Sequence, residues 1–178
     1  MLEKKKALRK IIKVRVSAIS PEERRKREEI LHNNLFSMPE FLSASSVLLF
    51  ANLPDEIDTF SLIDKCFCLG KKVYLPVIGG DDMQVAEFTG EYKIGKYGIK
   101  EPVTPNSSLL TPNSIDFALI PGVGFSPSGY RLGRGKGYYD KFLSKHPLYT
   151  VGVCFREQFF LDIPFEPHDI PMNKVLVI

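Results

Sequence analysis

The sequence predicts an α/β fold of three layers, αβα, with a mostly parallel central sheet and two helices ahead of the first strand. Three observations carry this. Short apolar runs of strand length (SVLLFANL, KKVYLPVI, IDFALIPG, LYTVGVCF) recur along the chain, with helical start and stop signals between several of them. The connection between the first two runs holds a helix, and a strand, helix, strand unit places its strands parallel with a right-handed crossover. Finally, 178 residues are enough for one sizeable core and too few for two, so a single domain is expected.

In order along the chain, ALRKIIKVRVSAI places Leu8, Ile11, Ile12 and Val16 on one side at helical spacing, with Arg9, Lys10, Lys13 and Arg15 filling the rest. A second helix opens at SPEE, where Ser20 can cap, Pro21 suits the first helical position and Glu23 completes a capping box; it is expected to end before Pro39. SVLLFANL is the first strand. Asp58 can cap and Gly70 terminate the helix that leads to the strand KKVYLPVI. A Gly79, Gly80, Asp81, Asp82 turn and the half-alternating MQVAEFTG suggest a further strand. Residues 90–114 are rich in Gly, Pro and Ser and read as irregular connection with at most one short element. IDFALIPG is then a strand, GYYDKFLSKH a helix, LYTVGVCF a strand and KVLVI a short closing strand.

Composition excludes several classes. No apolar run approaches the roughly 20 residues a membrane span needs, and the basic start MLEKKK has no uninterrupted apolar stretch behind it, so a cytoplasmic protein without membrane partners is expected. Cys66, Cys68 and Cys154 are odd in number and lack CxxC spacing, which favours small buried hydrophobes over a disulfide framework or a zinc site. The net charge of +3 is uneven: residues 1–30 carry 11 Lys and Arg against 5 Asp and Glu, and the remainder is net acidic. A basic end is compatible with a phosphate-bearing partner, or simply with a solvated helical face.

The chemistry concentrates in FALIPGVGFSPSGYRLGRGKGYYDKF, a strand, a glycine-rich loop and a helix. Loops leaving the carboxyl ends of parallel strands line the ligand crevice. Gly133, Gly135 and Gly137 would let backbone N–H groups turn toward an anion, the following helix start adds its positive end, and Arg134 and Lys136 supply charge. The spacing is neither the P-loop nor the dinucleotide fingerprint. Glycines and charges alone fit a flexible basic surface loop as well as a phosphate cradle. Tyr138, Tyr139 and Asp140 favour the cradle, because two aromatics can wall a pocket and a carboxylate beside phosphates suits magnesium.

The string PGVGFSPSGYRLGRGKGYYD resembles the signature of the 5-formyltetrahydrofolate cyclo-ligase family, also called methenyltetrahydrofolate synthetase. KKALR, LPDEIDT, GKKVYLP, YGIKEP and PHD fall in the family's order, so the resemblance covers nearly the whole chain and implies one cyclo-ligase-like domain over residues 1–178. It implies a ligase that uses ATP and magnesium to close 5-formyltetrahydrofolate to the 5,10-methenyl form. Lys5, Lys6, Ala7, Leu8 and Arg9 resemble the N-terminal nucleotide contacts, and Arg131, Leu132, Gly133, Arg134, Gly135, Lys136, Gly137, Tyr138 and Tyr139 the ATP-binding loop. Arg134 to Tyr138 also resemble the surface touching the folate, with Arg134 and Lys136 in the catalytic role. Ala51 and Glu56 match substrate positions, the family varying at the former, while Asp140 and Asp169 match the magnesium ligands. Ser126 departs from the pattern, since many members carry an acidic residue after GF.

Asp140 is thereby expected to serve the metal with little part in packing, and His168 to be structural or to orient Asp169. The expected partners are a reduced folate and ATP, bound by a monomer. One rival is an RNA module built on the basic helix and GRGKGYY, whose tyrosines could stack bases; the net acidic remainder of the chain argues against nucleic acid. Another is an enzyme of phosphosugars or acyl-CoA, which the same fold could host.

Overall fold

A computed structural model of the chain describes residues 1–79, 82–94, 100–103, 109–110 and 115–178. Three helices come first: α1 (Leu2–Ser17), α2 (Pro21–Leu35) and the short α3 (Pro39–Ser43). They lead to β1 (Ser46–Leu48), α4 (Phe60–Cys68), β2 (Lys72–Gly79), β3 (Asp82–Glu87), β4 (Tyr92–Ile94), β5 (Lys100–Pro102) and β6 (Leu109–Leu110). Then follow β7 (Phe117–Ile120), β8 (Gly124–Phe125), β9 (Arg131–Leu132), α5 (Tyr138–Lys145), β10 (Tyr149–Cys154), a single 3-10 turn (Arg156–Gln158) and β11 (Lys174–Val177).

Among the described residues the main sheet has the order β11-β10-β7-β1-β2-β3-β6. β1 is parallel to both β2 and β7, and β10 is parallel to β7 and β11, whereas β3 and β6 add antiparallel at one edge. The chain thus leaves β1 toward one edge and leaves β7 toward the other. Two crossovers of the same hand running opposite ways must put their helices on opposite faces. The burial agrees. Val47, Leu49, Val73, Leu75, Phe117 and Leu119 pack into one core with residues of α1 to α4, while Leu48, Tyr74, Ala118 and Ile120 pack into a second core with Phe142 and Leu143 of α5. Alternate residues of each strand feed the two faces, which is why the runs read as continuously apolar. Phe41 of α3 and Phe117 of β7 are fully buried with ring centroids 5.1 Å apart, and each such ring contributes about 2–3 kcal/mol of burial.

The local signals act largely as read. Ser20 accepts the Glu23 N–H at 3.2 Å. The Glu23 carboxylate, however, turns outward to Arg27 at 2.8 Å, so only half of the capping box forms. Asp58 accepts the Phe60 N–H at 2.9 Å at the start of α4, and Gly70 ends that helix with φ +75°. Several expectations are corrected. Ile11 is exposed, and Lys5 takes its place on the inner face of α1 with Ile12 and Val16. Cys68 is exposed, while Cys66 and Cys154 are buried. The short helix α3 carries no expected signal, the glycine-rich loop folds back as the β8/β9 hairpin, and the 90–114 segment holds three short strands. The Gly80 and Asp81 part of the expected turn, and residues 95–99, 104–108 and 111–114 of that segment, lie outside the described residues. No helix of the described residues is long and apolar enough to cross a membrane.

Asp116 locks β7 to β1: its Oδ2 accepts the N–H groups of Ser45 and Ser46 and the Ser46 hydroxyl, each at 2.9 Å. Burial opposes its charge, but these donors outweigh it and hold the carboxyl below its ordinary range. The lowered value means stability that is present above the ordinary carboxylate range and lost as the pH falls through the folded value. Asp116 is itself exposed, so solvent screens part of this effect, and Asp116→Asn should cost at most about 1 kcal/mol at neutral pH. Thermal melts of parent and variant should converge as the pH falls from about 5 toward about 2; a constant gap would contradict this.

Candidate active site

Strand order reverses between β1 and β7, and the loops that follow these two strands face each other there, the position where open α/β sheets take their ligands. The β1 loop brings Asp55 and Glu56. The β7 loop brings Arg134, whose guanidinium donates to Asp55 at 2.7 Å and to Glu56 at 3.2 Å, joining the two loops. Glu56 is largely buried and also accepts the Leu53 N–H at 2.9 Å, so its carboxylate is fixed from its own loop as well.

Two cavities share this ion pair in their linings. The smaller, about 130 Å³, is lined by Pro121, Gly122, Val123, Arg131, Gly133, Lys136 and the first turn of α5. The larger, about 420 Å³, lies beneath α1 and takes in Arg9, Ile12, Lys13, Val16, Arg24, Pro54 and Gln158. Glu56, Gly122, Val123 and Arg134 line both.

Local sequence explains the walls. Gly135 and Gly137 have φ of +107° and +66°, backbone that side chains with a Cβ rarely adopt, which lets the loop turn sharply into α5. Arg9 reaches from α1 to the Gly133 carbonyl at 2.8 Å and clamps the loop from above. Arg131 is the internal brace: its buried guanidinium pairs with Asp140 at 2.8 Å and lies 5.5 Å from the Tyr139 ring centroid. Burial, followed by the nearby Glu56 charge, pushes the Tyr139 phenol well up, so it remains a protonated donor.

Asp140 lines the smaller cavity, with one oxygen on Arg131 and the other accepting the Ile170 N–H at 3.1 Å. That bond places Asp140 against the residue following Asp169. Asp169 is largely buried and accepts Lys5 Nζ at 2.8 Å and the Glu166 N–H at 2.8 Å through one oxygen. Burial opposes both charges in this pair, yet their mutual bond, supported by Glu166, holds Asp169 below and Lys5 above its ordinary range. His168 is exposed, with Nε2 3.8 Å from the other Asp169 oxygen. Asp140 also corrects the expectation of a carboxylate with little part in packing, because it compensates a buried cation.

Of the sequence-predicted residues, Glu56, Arg131, Gly133, Arg134, Lys136, Gly137, Tyr138, Tyr139 and Asp140 line the smaller cavity, and Arg9 with Glu56 and Arg134 the larger. Helical geometry splits the N-terminal segment: Lys5, Leu8 and Arg9 face inward, and Lys6 and Ala7 face solvent. Leu132 is buried in the core, Gly135 is exposed, and Ala51 is half-buried and lines neither of the two cavities. Ser126 is buried and bonded to Ser128, distant in role from a solvent acid. Sequence reasoning missed Asp55, Lys13, Arg24 and Gln158. Asp55 had a signal, since it adjoins Glu56; nothing local marked the other three.

Comparison with known proteins agrees along the whole chain. The model of the 5-formyltetrahydrofolate cyclo-ligase family matches residues 1–178. A 5-formyltetrahydrofolate cyclo-ligase of Mus musculus is 29% identical over 97% of this chain and 92% of its own, and that of Escherichia coli K12 is 28% identical over 93% and 96%. The NMR structure of Aquifex aeolicus 5,10-methenyltetrahydrofolate synthetase superposes with a TM-score of 0.86 at 34% identity, covering 97% of this chain and 89% of that one. A Mycoplasma pneumoniae 5,10-methenyltetrahydrofolate synthetase shares the fold, with a TM-score of 0.75 at 23% identity and 96% of each chain covered. With a match from the first residue to the last, and with the signature loop folded onto the switch point of the sheet, the chain belongs to the 5-formyltetrahydrofolate cyclo-ligase family.

Proposed function

We propose that the chain, acting as one domain, closes 5-formyltetrahydrofolate to 5,10-methenyltetrahydrofolate and converts ATP to ADP and phosphate. The observation that carries this reading is the pair of adjoining cavities whose linings share the Glu56–Arg134 ion pair. A reaction between two bound molecules needs two sites with one common wall.

The chemistry asks for little more. The formyl oxygen is a weak nucleophile and would leave poorly as hydroxide. It attacks the terminal phosphorus of ATP, ADP departs, and the oxygen becomes part of a phosphate ester. Nitrogen N10 then attacks the formyl carbon and loses its proton, and phosphate leaves with that oxygen. Such a transfer rests on positioning and charge neutralisation rather than on a covalent enzyme intermediate. Arg134 and Lys136 face the transferring phosphate, and the N–H groups of the glycine-rich loop and the start of α5 surround it. Arg9 and Lys5 hold the loop and its acidic neighbours in register. Tyr138 and Tyr139 wall the pocket, and Glu56 accepts hydrogen bonds from the pterin ring.

Magnesium would arrive with the triphosphate and neutralise part of its charge. Asp140 and Asp169 fit that role as partial ligands. Among the described residues each oxygen of Asp140 meets one partner, Arg131 or the Ile170 N–H, and the Asp169 oxygen not bonded to Lys5 lies 3.8 Å from His168, which leaves acceptor lone pairs for an ion held mostly by phosphates and water.

The test is incubation with 5-formyltetrahydrofolate, ATP and magnesium while the near-ultraviolet band of the methenyl product is followed. Product that depends on all three is expected; product formed equally well without ATP would refute the reading. Glu56→Gln keeps the size and removes the charge, so KM for the folate should rise about tenfold with KM for ATP changed far less. An equal rise for both would move Glu56 off the folate side.

A further inference from the structure

The wall common to both cavities is built from backbone as well as from the ion pair, and a buried side chain outside the glycine-rich loop holds that backbone. Gln158 is 6% exposed and lines the larger cavity. Its Nε2 donates to the carbonyls of Gly122 and Val123 at 3.2 and 3.0 Å, and its Oε1 accepts the Phe155 N–H at 2.9 Å. Two carbonyls on one side and one N–H on the other admit a single orientation of the carboxamide. The amide thereby joins the segment after β10 to the segment after β7.

The wall is held from its other side too. The Val123 N–H donates to the Leu132 carbonyl at 2.8 Å, and a Cβ on Gly122 would stand 2.7 Å from atoms of Arg131 and Phe125. The turn that carries Gln158 is itself anchored, since its neighbour Glu157 pairs with Arg27 of α2 at 2.6 Å. Filling the space behind the wall would need no amide. A side chain that saturates two carbonyls specifies where that backbone sits.

We infer that Gln158 is a positioning residue for the reaction: through the Gly122 and Val123 carbonyls it fixes the strip of wall across which the two bound molecules meet. The inference rests on the cyclo-ligase reading of this site. Misplacing reacting groups by about 1 Å costs on the order of 10²-fold in rate even when the cause lies away from the chemistry. Each molecule's more distant contacts survive such a shift, so the loss falls on turnover.

The experiment compares parent, Gln158→Met, which keeps the shape and loses the donors, and Gln158→Asn, which keeps the amide and loses the reach. Melting is followed by circular dichroism, and kcat and both KM values are measured well below each variant's Tm. The expected result is a kcat lower by about 10- to 100-fold, with KM for folate and for ATP each within about threefold of the parent. A lower Tm with kcat within about twofold of the parent would assign Gln158 to stability alone and overturn the inference. Raised KM with unchanged kcat, or failure of both variants to fold, would overturn it equally. An inactive parent would refute the cyclo-ligase reading itself, and that outcome is distinct from an active parent with fully active variants.

Discussion

Replacing Arg134 and Lys136 together by alanine should lower kcat/KM for ATP by about 10³-fold, the scale on which charge supplied to a transferring phosphoryl group acts. Both residues are exposed, and the Arg134 pairs with Asp55 and Glu56 lie at the cavity rim, so their loss should cost at most about 1 kcal/mol of stability. A melting curve lowered by no more than about 4 °C, with collapsed activity, is therefore the expected pair of results. The same variant separates enzyme from nucleic-acid module. A single-stranded oligonucleotide should bind the parent weakly and be released by moderate salt. Tight oligonucleotide binding by the parent, lost in the variant, with no binding of ATP by the parent, would overturn the cyclo-ligase reading.

The second large effect belongs to Asp140, and it combines stability with function. Arg131 is 3% exposed at its side chain, and Asp140 is its salt-bridge partner. Removing one member of a buried pair strands the other, which costs about 3 kcal/mol. For a chain of this size that corresponds to a fall in Tm of about 6–12 °C. Asp140→Asn should also reduce turnover by about 10²-fold below its melting temperature, because Arg131 and the first turn of α5 wall the smaller cavity. Partial recovery of turnover at high magnesium would mark the ligand contribution, and unchanged Tm and turnover would contradict both roles.

What the sequence made legible follows from how local each signal is. Ser20, Asp58 and Gly70 act on backbone within a few residues, and each does in the structure what its residue type allows. The apolar runs gave the parallel strands because both faces of this sheet are covered, so no alternation was needed to find them. The site was legible through RLGRGKGYYD, whose Gly135 and Gly137 take conformations that few other residues tolerate. The rest depended on contacts across the chain. Lys5 reads as one more solvated base of a basic helix until Asp169, 164 positions away, is brought beside it. Asp140 reads as a free ligand until Arg131 is buried against it, and the wall-holding role of Gln158 is hidden because, although its Oε1 bonds the nearby Phe155 N–H, the two carbonyls its Nε2 holds lie 35 and 36 positions away. The β8/β9 hairpin was hidden by the glycine and proline content of its own loop, which suggests irregular backbone more strongly than two-residue strands suggest a ladder.

The central claim is that ATP activates the formyl oxygen and that this oxygen leaves as phosphate. It is tested most directly by supplying 5-formyltetrahydrofolate labelled with oxygen-18 in the formyl group, running the reaction to completion, and measuring the inorganic phosphate by mass spectrometry. The account predicts one labelled oxygen in each phosphate released. Methenyl product accompanied by unlabelled phosphate, with the label recovered in water, would contradict it.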